Sequence, residues 1–89
     1  MKITETLQRK LEDIFKKLNF KVRYERGTFK SGYCIIEEQQ VIVINKFFSL
    51  ESKVNTLIDI LRGIEADESN LDENQKKFVS QIRKPEFQA

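Results

Sequence analysis

The sequence predicts a small α+β domain, in which an N-terminal helix and two C-terminal helices cover one face of a three-stranded antiparallel sheet. Three observations predict this fold class. The chain has 89 residues, which is the size of one domain. Hydrophobic residues make up 39% of it and aromatic residues 10%, more than a disordered chain contains. Apolar residues recur at helical spacing near both ends and at strand spacing between them, which gives the order α-β-β-β-α-α.

The first element is an amphipathic helix over residues 4–18. Its apolar residues recur at steps of three and four between positions 7 and 18. Thr4 is suited to cap its N-terminus, because a threonine hydroxyl can accept from a free backbone N–H of the first turn. Asn19 is suited to end the helix. We expect the apolar stripe of this helix to cover the sheet.

Three short segments then predict strands. Phe20–Glu25 alternates apolar and charged residues, which is typical of a strand with one exposed face. A loop over residues 26–32 separates it from strands at 33–38 and 41–45, which a polar turn at Gln39 and Gln40 connects. Because the connections are short, we expect the strands to pair antiparallel in chain order.

Two helices complete the domain. Ser49 is a suitable N-cap for a helix over residues 50–64, with Gly63 near its end. An acidic linker follows at residues 65–70, and a third helix over residues 71–84 is stopped by Pro85. The predicted single domain is therefore residues 1–84, with residues 85–89 as a frayed C-terminal tail.

The absence of histidine and the single cysteine exclude several classes of function. Histidine acid–base catalysis, Ser-His and Cys-His nucleophiles and histidine-containing metal sites all need a residue that the chain lacks. Cys34 cannot form an internal disulfide, and its apolar neighbours favour a buried, inert thiol. We therefore expect no enzymatic activity, no cofactor and no metal.

Hydropathy and the N-terminal residues predict a cytoplasmic protein. The longest apolar runs have four residues, whereas a membrane-spanning helix needs about 20. An acidic residue follows the start closely, with no apolar run behind it, which is unlike a secretory signal.

The net charge of +2 is unevenly distributed along the chain. Residues 16–30 hold six cations and one acid, whereas residues 31–75 carry a net charge of −6. In the basic segment, Arg23, Arg26 and Lys30 are interleaved with Phe29, and Tyr33 follows. Cations and aromatic rings together suit unpaired nucleic-acid bases and phosphates. The alternative is that the cations solvate an exposed sheet face and that Phe29 folds back on the core.

Phe47 and Phe48 are adjacent, so both rings cannot easily bury on the same side. We expect one of them to cap the core before the second helix. The other is then free to contribute to an interface, including one between two copies of the chain.

The segment at residues 41–63 contains the strand VIVIN followed by TLIDILRG. It resembles the strand-to-helix unit of minimal zincin metallopeptidases of the ImmA/IrrE type. In that alignment Asp59 occupies the position of the first metal-binding histidine, Ile60 that of the catalytic glutamate, and Gly63 that of the second histidine. The resemblance therefore implies a metal-free relative of that scaffold, without peptidase activity.

The expected function is a non-enzymatic binding or regulatory module that acts through protein–protein contacts or self-association. Phe29 and one of Phe47 or Phe48 are the predicted apolar anchors. Arg23, Arg26 and Lys30 are the predicted charged rim, with Tyr33 beside them. A single-stranded nucleic-acid binder that uses residues 16–30 is the alternative.

Overall fold

The computed structural model describes residues 2–26, 32–36 and 39–84, with the backbone alone for residues 32–36. Its elements in chain order are α1 (Glu5–Lys17), β1 (Phe20–Glu25), β2 (Gly32–Ile36), β3 (Gln39–Asn45), α2 (Leu50–Gly63) and α3 (Glu73–Ile82). The α+β class and the order of the elements are confirmed. The predicted tail at residues 85–89 lies outside the described residues.

The sheet is mixed, so the prediction of an antiparallel sheet in chain order is wrong. Its strand order is β1-β3-β2, in which β3 runs parallel to β1 and antiparallel to β2. The physical reason lies in β3, where Val41, Ile42 and Ile44 are all buried. Successive residues of a strand face opposite sides of the sheet, so β3 buries apolar groups on both faces and belongs in the centre.

The turn predicted at Gln39 and Gln40 is also wrong, because both residues belong to β3. Ile36 of β2 pairs with Gln39 of β3, so the strands are joined through residues 37–38, which lie outside the described residues. The polar glutamines resembled a turn because their side chains lack the apolar alternation of a strand. Backbone pairing with β2 and β1 extends β3 over them all the same.

The predicted helix ends are largely confirmed by their caps. Leu7 N–H donates to the Thr4 hydroxyl at 3.2 Å, and Ser52 N–H donates to the Ser49 hydroxyl at 3.1 Å. Asn19 follows α1 with a φ of 68°, the left-handed conformation that asparagine tolerates after a helix. α3 begins later than predicted, at Glu73, because Asp72 is its N-cap.

One core joins the three helices to a single face of the sheet. Side chains of β1 and β3, including Phe20, Ile42 and Ile44, pack with residues of α1, α2 and α3. Phe15 meets Phe20 edge-to-face, with ring centroids 5.8 Å apart. On the opposite face of the sheet, Lys21 and Arg23 are exposed.

Candidate functional site

The carboxyl ends of β1 and β3 lie side by side, because these strands are parallel and Glu25 pairs with Asn45. Lys46 N–H extends the pairing by donating to the Glu25 carbonyl at 2.8 Å. This arrangement brings Arg26, the residue after β1, next to the turn that follows β3. We call Arg26, Asn45, Lys46 and Phe47 the strand-end surface.

Hydrogen bonds to Asn45 shape the turn of this surface. Phe47 N–H donates to Asn45 Oδ1 at 3.0 Å, and Phe48 N–H donates to the Asn45 carbonyl at 3.1 Å. Asparagine favours such turns because its side chain can accept from the backbone two residues later. The turn holds the two aromatic residues in fixed, different directions.

Phe47 points to solvent and Phe48 packs against the core. Phe47 is 70% exposed, and it is the only large apolar residue among the described ones to be mainly exposed. Phe48 is half-buried against the core cluster. The expectation that one phenylalanine caps the core while the other remains exposed is therefore confirmed.

Arg26 lies over the exposed ring of Phe47, with its guanidinium carbon 5.9 Å from the ring centroid. At this distance the cation is attracted by the negative face of the ring, by about 0.5–1 kcal/mol at an exposed site. The pair presents an apolar ring and a cation together, and Lys46 precedes Phe47 in the same turn. Both Arg26 and Lys46 are themselves exposed.

Arg23 has a different partner from Arg26. Its guanidinium contacts the Glu25 carboxylate at 2.8 Å, and both side chains are about half exposed. An exposed ion pair of this kind contributes about 0–1 kcal/mol to stability. Because Glu25 neutralises it, Arg23 offers less charge to a partner than Arg26 or Lys46.

Several predicted site residues cannot be assigned to this surface. Phe29 and Lys30 lie outside the described residues. Tyr33 is in β2, where its backbone pairs with Ile42, and Cys34 pairs with Val41. The side chains of Tyr33 and Cys34 are also outside the described part of the structure.

Sequence reasoning missed Lys46 and the surroundings of Tyr24. In an antiparallel sheet in chain order, β2 would separate Arg26 from Lys46, so their proximity depends on the parallel pairing. The Tyr24 hydroxyl donates to the Glu12 carboxylate and accepts from Gln8 Nε2 at 2.9 Å. The Lys53 ammonium lies 5.5 Å from the centroid of the Tyr24 ring.

The environment of Tyr24 raises the pKa of its hydroxyl well above the usual value near 10. Burial is the largest cause, since it disfavours the phenolate, and the hydrogen bond to Glu12 is the next. The bond from Gln8 acts in the opposite direction. A tyrosine held in its protonated form is a poor general base at neutral pH.

The described residues contain no group of three or more histidine, cysteine or acidic side chains placed to hold a metal ion. Asp59 and Gly63, which the resemblance to minimal zincins would align with the two metal-binding histidines, are both exposed on α2. Among the helices of the described part of the chain, none is long and apolar enough to cross a membrane.

Comparisons with known proteins add no relative from which a function could be transferred. No protein-family model matches the sequence, and neither a curated protein nor a solved structure matches the chain.

Proposed function

We propose that this chain is a non-enzymatic binding module that contacts a partner protein through the strand-end surface. The observation that carries the proposal is the exposure of Phe47, which is 70% exposed and which a fixed turn holds under the Arg26 guanidinium. Exposing a phenylalanine costs apolar free energy that burial in a partner recovers, about 25 cal/mol for each Å² removed from water.

The composition of the surface supports a protein partner. Aromatic residues and arginine are enriched among the interface residues that contribute most to binding, whereas lysine is more frequent at the solvated rim. Phe47 is the apolar anchor in this proposal, Arg26 stacks on it, and Lys46 contributes charge at the edge. The turn is held by hydrogen bonds before binding, so little conformational entropy is lost at the anchor.

A non-enzymatic role is supported by the chemistry that the chain offers. It contains no histidine, and the titratable pair at Glu12 and Tyr24 keeps the tyrosine protonated. The single cysteine suits a reducing compartment such as the cytoplasm, where this proposal places the chain.

Single-stranded nucleic acid is the second candidate partner, because the same ring and cations could stack on a base and contact phosphates. The logarithm of the association constant for such binding would fall with the logarithm of the salt concentration, with a slope of about −0.7 for each phosphate contact. A protein partner anchored by Phe47 would show a smaller salt dependence, since burial of the ring is not electrostatic.

The test compares the parent with Phe47→Ala and Phe47→Tyr, which keeps an aromatic ring under Arg26. Proteins captured by the parent from a nuclease-treated lysate would be identified, purified and titrated against the parent and the two variants. For an anchor residue, we expect Phe47→Ala to weaken binding by about 30-fold or more, with Phe47→Tyr close to the parent. Because the ring is exposed, neither change should move the melting temperature by more than a few degrees.

Equal affinity of the purified partner for the parent and Phe47→Ala would contradict the proposal. Retention of the parent, but not of Phe47→Ala, on a single-stranded oligonucleotide at low salt would favour the nucleic-acid alternative instead.

A further inference from the structure

β1 is an edge strand of the described sheet, with β3 on one side only. The Glu25 carbonyl accepts from Lys46 N–H, which shows that Glu25 directs its peptide groups toward β3. Peptide groups of successive strand residues point alternately to the two sides, so Val22 and Tyr24 direct theirs to the open edge. Within residues 2–26, 32–36 and 39–84, no strand pairs with this edge.

A groove of about 460 Å³ runs along the same edge, between β1 and α1. Its apolar lining comes from Phe20, Val22 and the ring of Tyr24, whereas Glu12 and Lys16 line it from α1. Lys21 completes the lining. Free backbone donors and acceptors beside an apolar floor are the two features that a sheet uses to bind an added strand.

The side chains that line the groove carry a net positive charge. The carboxylate of Glu12 already accepts the Tyr24 hydroxyl. Lys16 and Lys21 are exposed, and neither forms an ion pair with another described residue. Lys16 and Lys21 against the single carboxylate of Glu12 give the lining a net charge of +1, which favours a negatively charged occupant.

We propose that this groove binds an extended, acidic segment of a partner protein, which adds to the open edge of β1 as a fourth strand of the sheet. Main-chain hydrogen bonds to Val22 and Tyr24 would hold the segment. Its apolar side chains would cover the groove floor, and its acidic ones would meet Lys16 and Lys21. A second copy of the chain is disfavoured as the occupant, since its β1 carries a net charge of +1, from Lys21 and Arg23 against Glu25, and would bring no acidic surplus to Lys16 and Lys21.

The groove does not include Phe47, so this inference does not rest on the strand-end surface and the two can fail separately. The probe is a short synthetic peptide in which glutamate and valine alternate. Its binding would be followed by amide hydrogen exchange of the ¹⁵N-labelled protein. At a peptide concentration of 100 times Kd, we expect exchange at the Val22 and Tyr24 amides to slow by about 100-fold. The Glu65 amide, in the exposed segment after α2 and away from the groove, exchanges without unfolding of the sheet; it is the internal control and should change far less.

Two further measurements separate strand addition from simple charge attraction. Two peptides would be N-methylated at alternate amides. Methylation of the amides whose N–H faces β1 should abolish binding, whereas methylation of the amides that face away from β1 should leave binding intact. Lys16→Glu with Lys21→Glu should weaken binding by about tenfold or more. The matched control is Lys2→Glu with Lys77→Glu, which changes the net charge of the chain by the same amount at positions outside the groove. It should weaken binding less.

Binding without slowed exchange at Val22 and Tyr24 would overturn the inference. So would equal affinity for the two methylated peptides, or for a peptide in which lysine replaces glutamate. Protection of these amides by dimerisation of the chain alone, seen by sedimentation, would show that the edge serves self-association instead.

Discussion

At the scale of single residues, the local backbone around an aromatic side chain decides whether it is buried or exposed. Phe47 and Phe48 have the same chemistry and adjacent positions, yet the Asn45 turn exposes one and packs the other on the core. Tyr24 shares the core face of β1 with Phe20, and its hydroxyl reaches Glu12 and Gln8 at the edge of that core. A tyrosine suits such a boundary because its ring is apolar and its hydroxyl needs a partner.

The raised pKa of Tyr24 predicts a loss of stability at alkaline pH. The folded state holds this proton more tightly than the unfolded chain does, so the stabilisation is fully present below about pH 10. It is lost as the pH rises from there through the higher pKa of the folded state. We expect the free energy of unfolding, from urea titrations between pH 8 and 11, to fall more steeply for the parent than for Tyr24→Phe.

Absorbance provides an independent measurement of the same property. The chain has two tyrosines, so in Tyr33→Phe the phenolate band near 295 nm reports Tyr24 alone. The folded Tyr33→Phe variant should titrate above pH 10, and the urea-unfolded variant near 10. A folded midpoint at or below 10 would contradict the environment described for Tyr24.

At the scale of elements, α3 shows how a short helix is held at its start. It has ten residues, and isolated helices of that length are marginal in water. Asp72 accepts from Gln75 N–H at 2.8 Å, and Asp72 N–H donates to Gln75 Oε1 at 3.0 Å, which is a reciprocal capping box. Gln75 also joins α3 to α1, donating to Asp13 at 2.8 Å and accepting from Lys17 at 3.0 Å.

Removal of this cap should destabilise the domain measurably. Asp72→Ala leaves the first backbone N–H groups of α3 without a side-chain acceptor and should cost about 1 kcal/mol in the free energy of unfolding. Asp72→Asn is the matched control, since its amide oxygen can still accept, and we expect it to cost much less. Chemical denaturation of the three proteins measures both values, and equal losses for the two variants would contradict a capping role.

At the scale of the whole molecule, β3 is the element around which the fold is arranged. Its residues Ile42 and Ile44 pack under the helices, and Val41 is buried on the other face. α2 packs Val54, Leu57 and Leu61 into the same core, each fully buried. A domain of this size has a total stability of about 5–15 kcal/mol, so each of these contacts is a large share of it.

Truncation of Leu61 tests that core directly. Leu61→Ala removes buried methyl groups and leaves a cavity, and should cost about 2–5 kcal/mol. Asn55→Ala is the control on the same helix, because Asn55 is exposed and its replacement should change stability by no more than about 0.5 kcal/mol. Thermal or urea unfolding gives both values. A melting temperature of Leu61→Ala within a degree or two of the parent would place the buried face of α2 elsewhere.

The sequence by itself determined the type and order of the elements of this protein and the position of several helix ends. Residues three and four apart form helix faces, and a cap acts on N–H groups within one turn, so Thr4, Ser49 and Asn19 mark helix ends wherever the helices pack. Alternation likewise marked Phe20–Glu25 as a strand with a charged face. The sequence also indicated that the adjacent rings of Phe47 and Phe48 could not easily be buried on the same side of the backbone.

Only the tertiary structure decided which strands pair, and with that both candidate surfaces. Short connections favour pairing in chain order, but Val41 and Ile42 on opposite faces of β3 are both buried, which is typical of a central strand. The apolar run VIVI carried that signal, yet it did not specify which neighbour runs parallel. Once β1 lies parallel to β3, Arg26 reaches Phe47, and the far edge of β1 has no partner strand among the described residues. Strand pairing depends on the burial of residues that are distant in the sequence, and the spacing of apolar residues within one strand does not specify it.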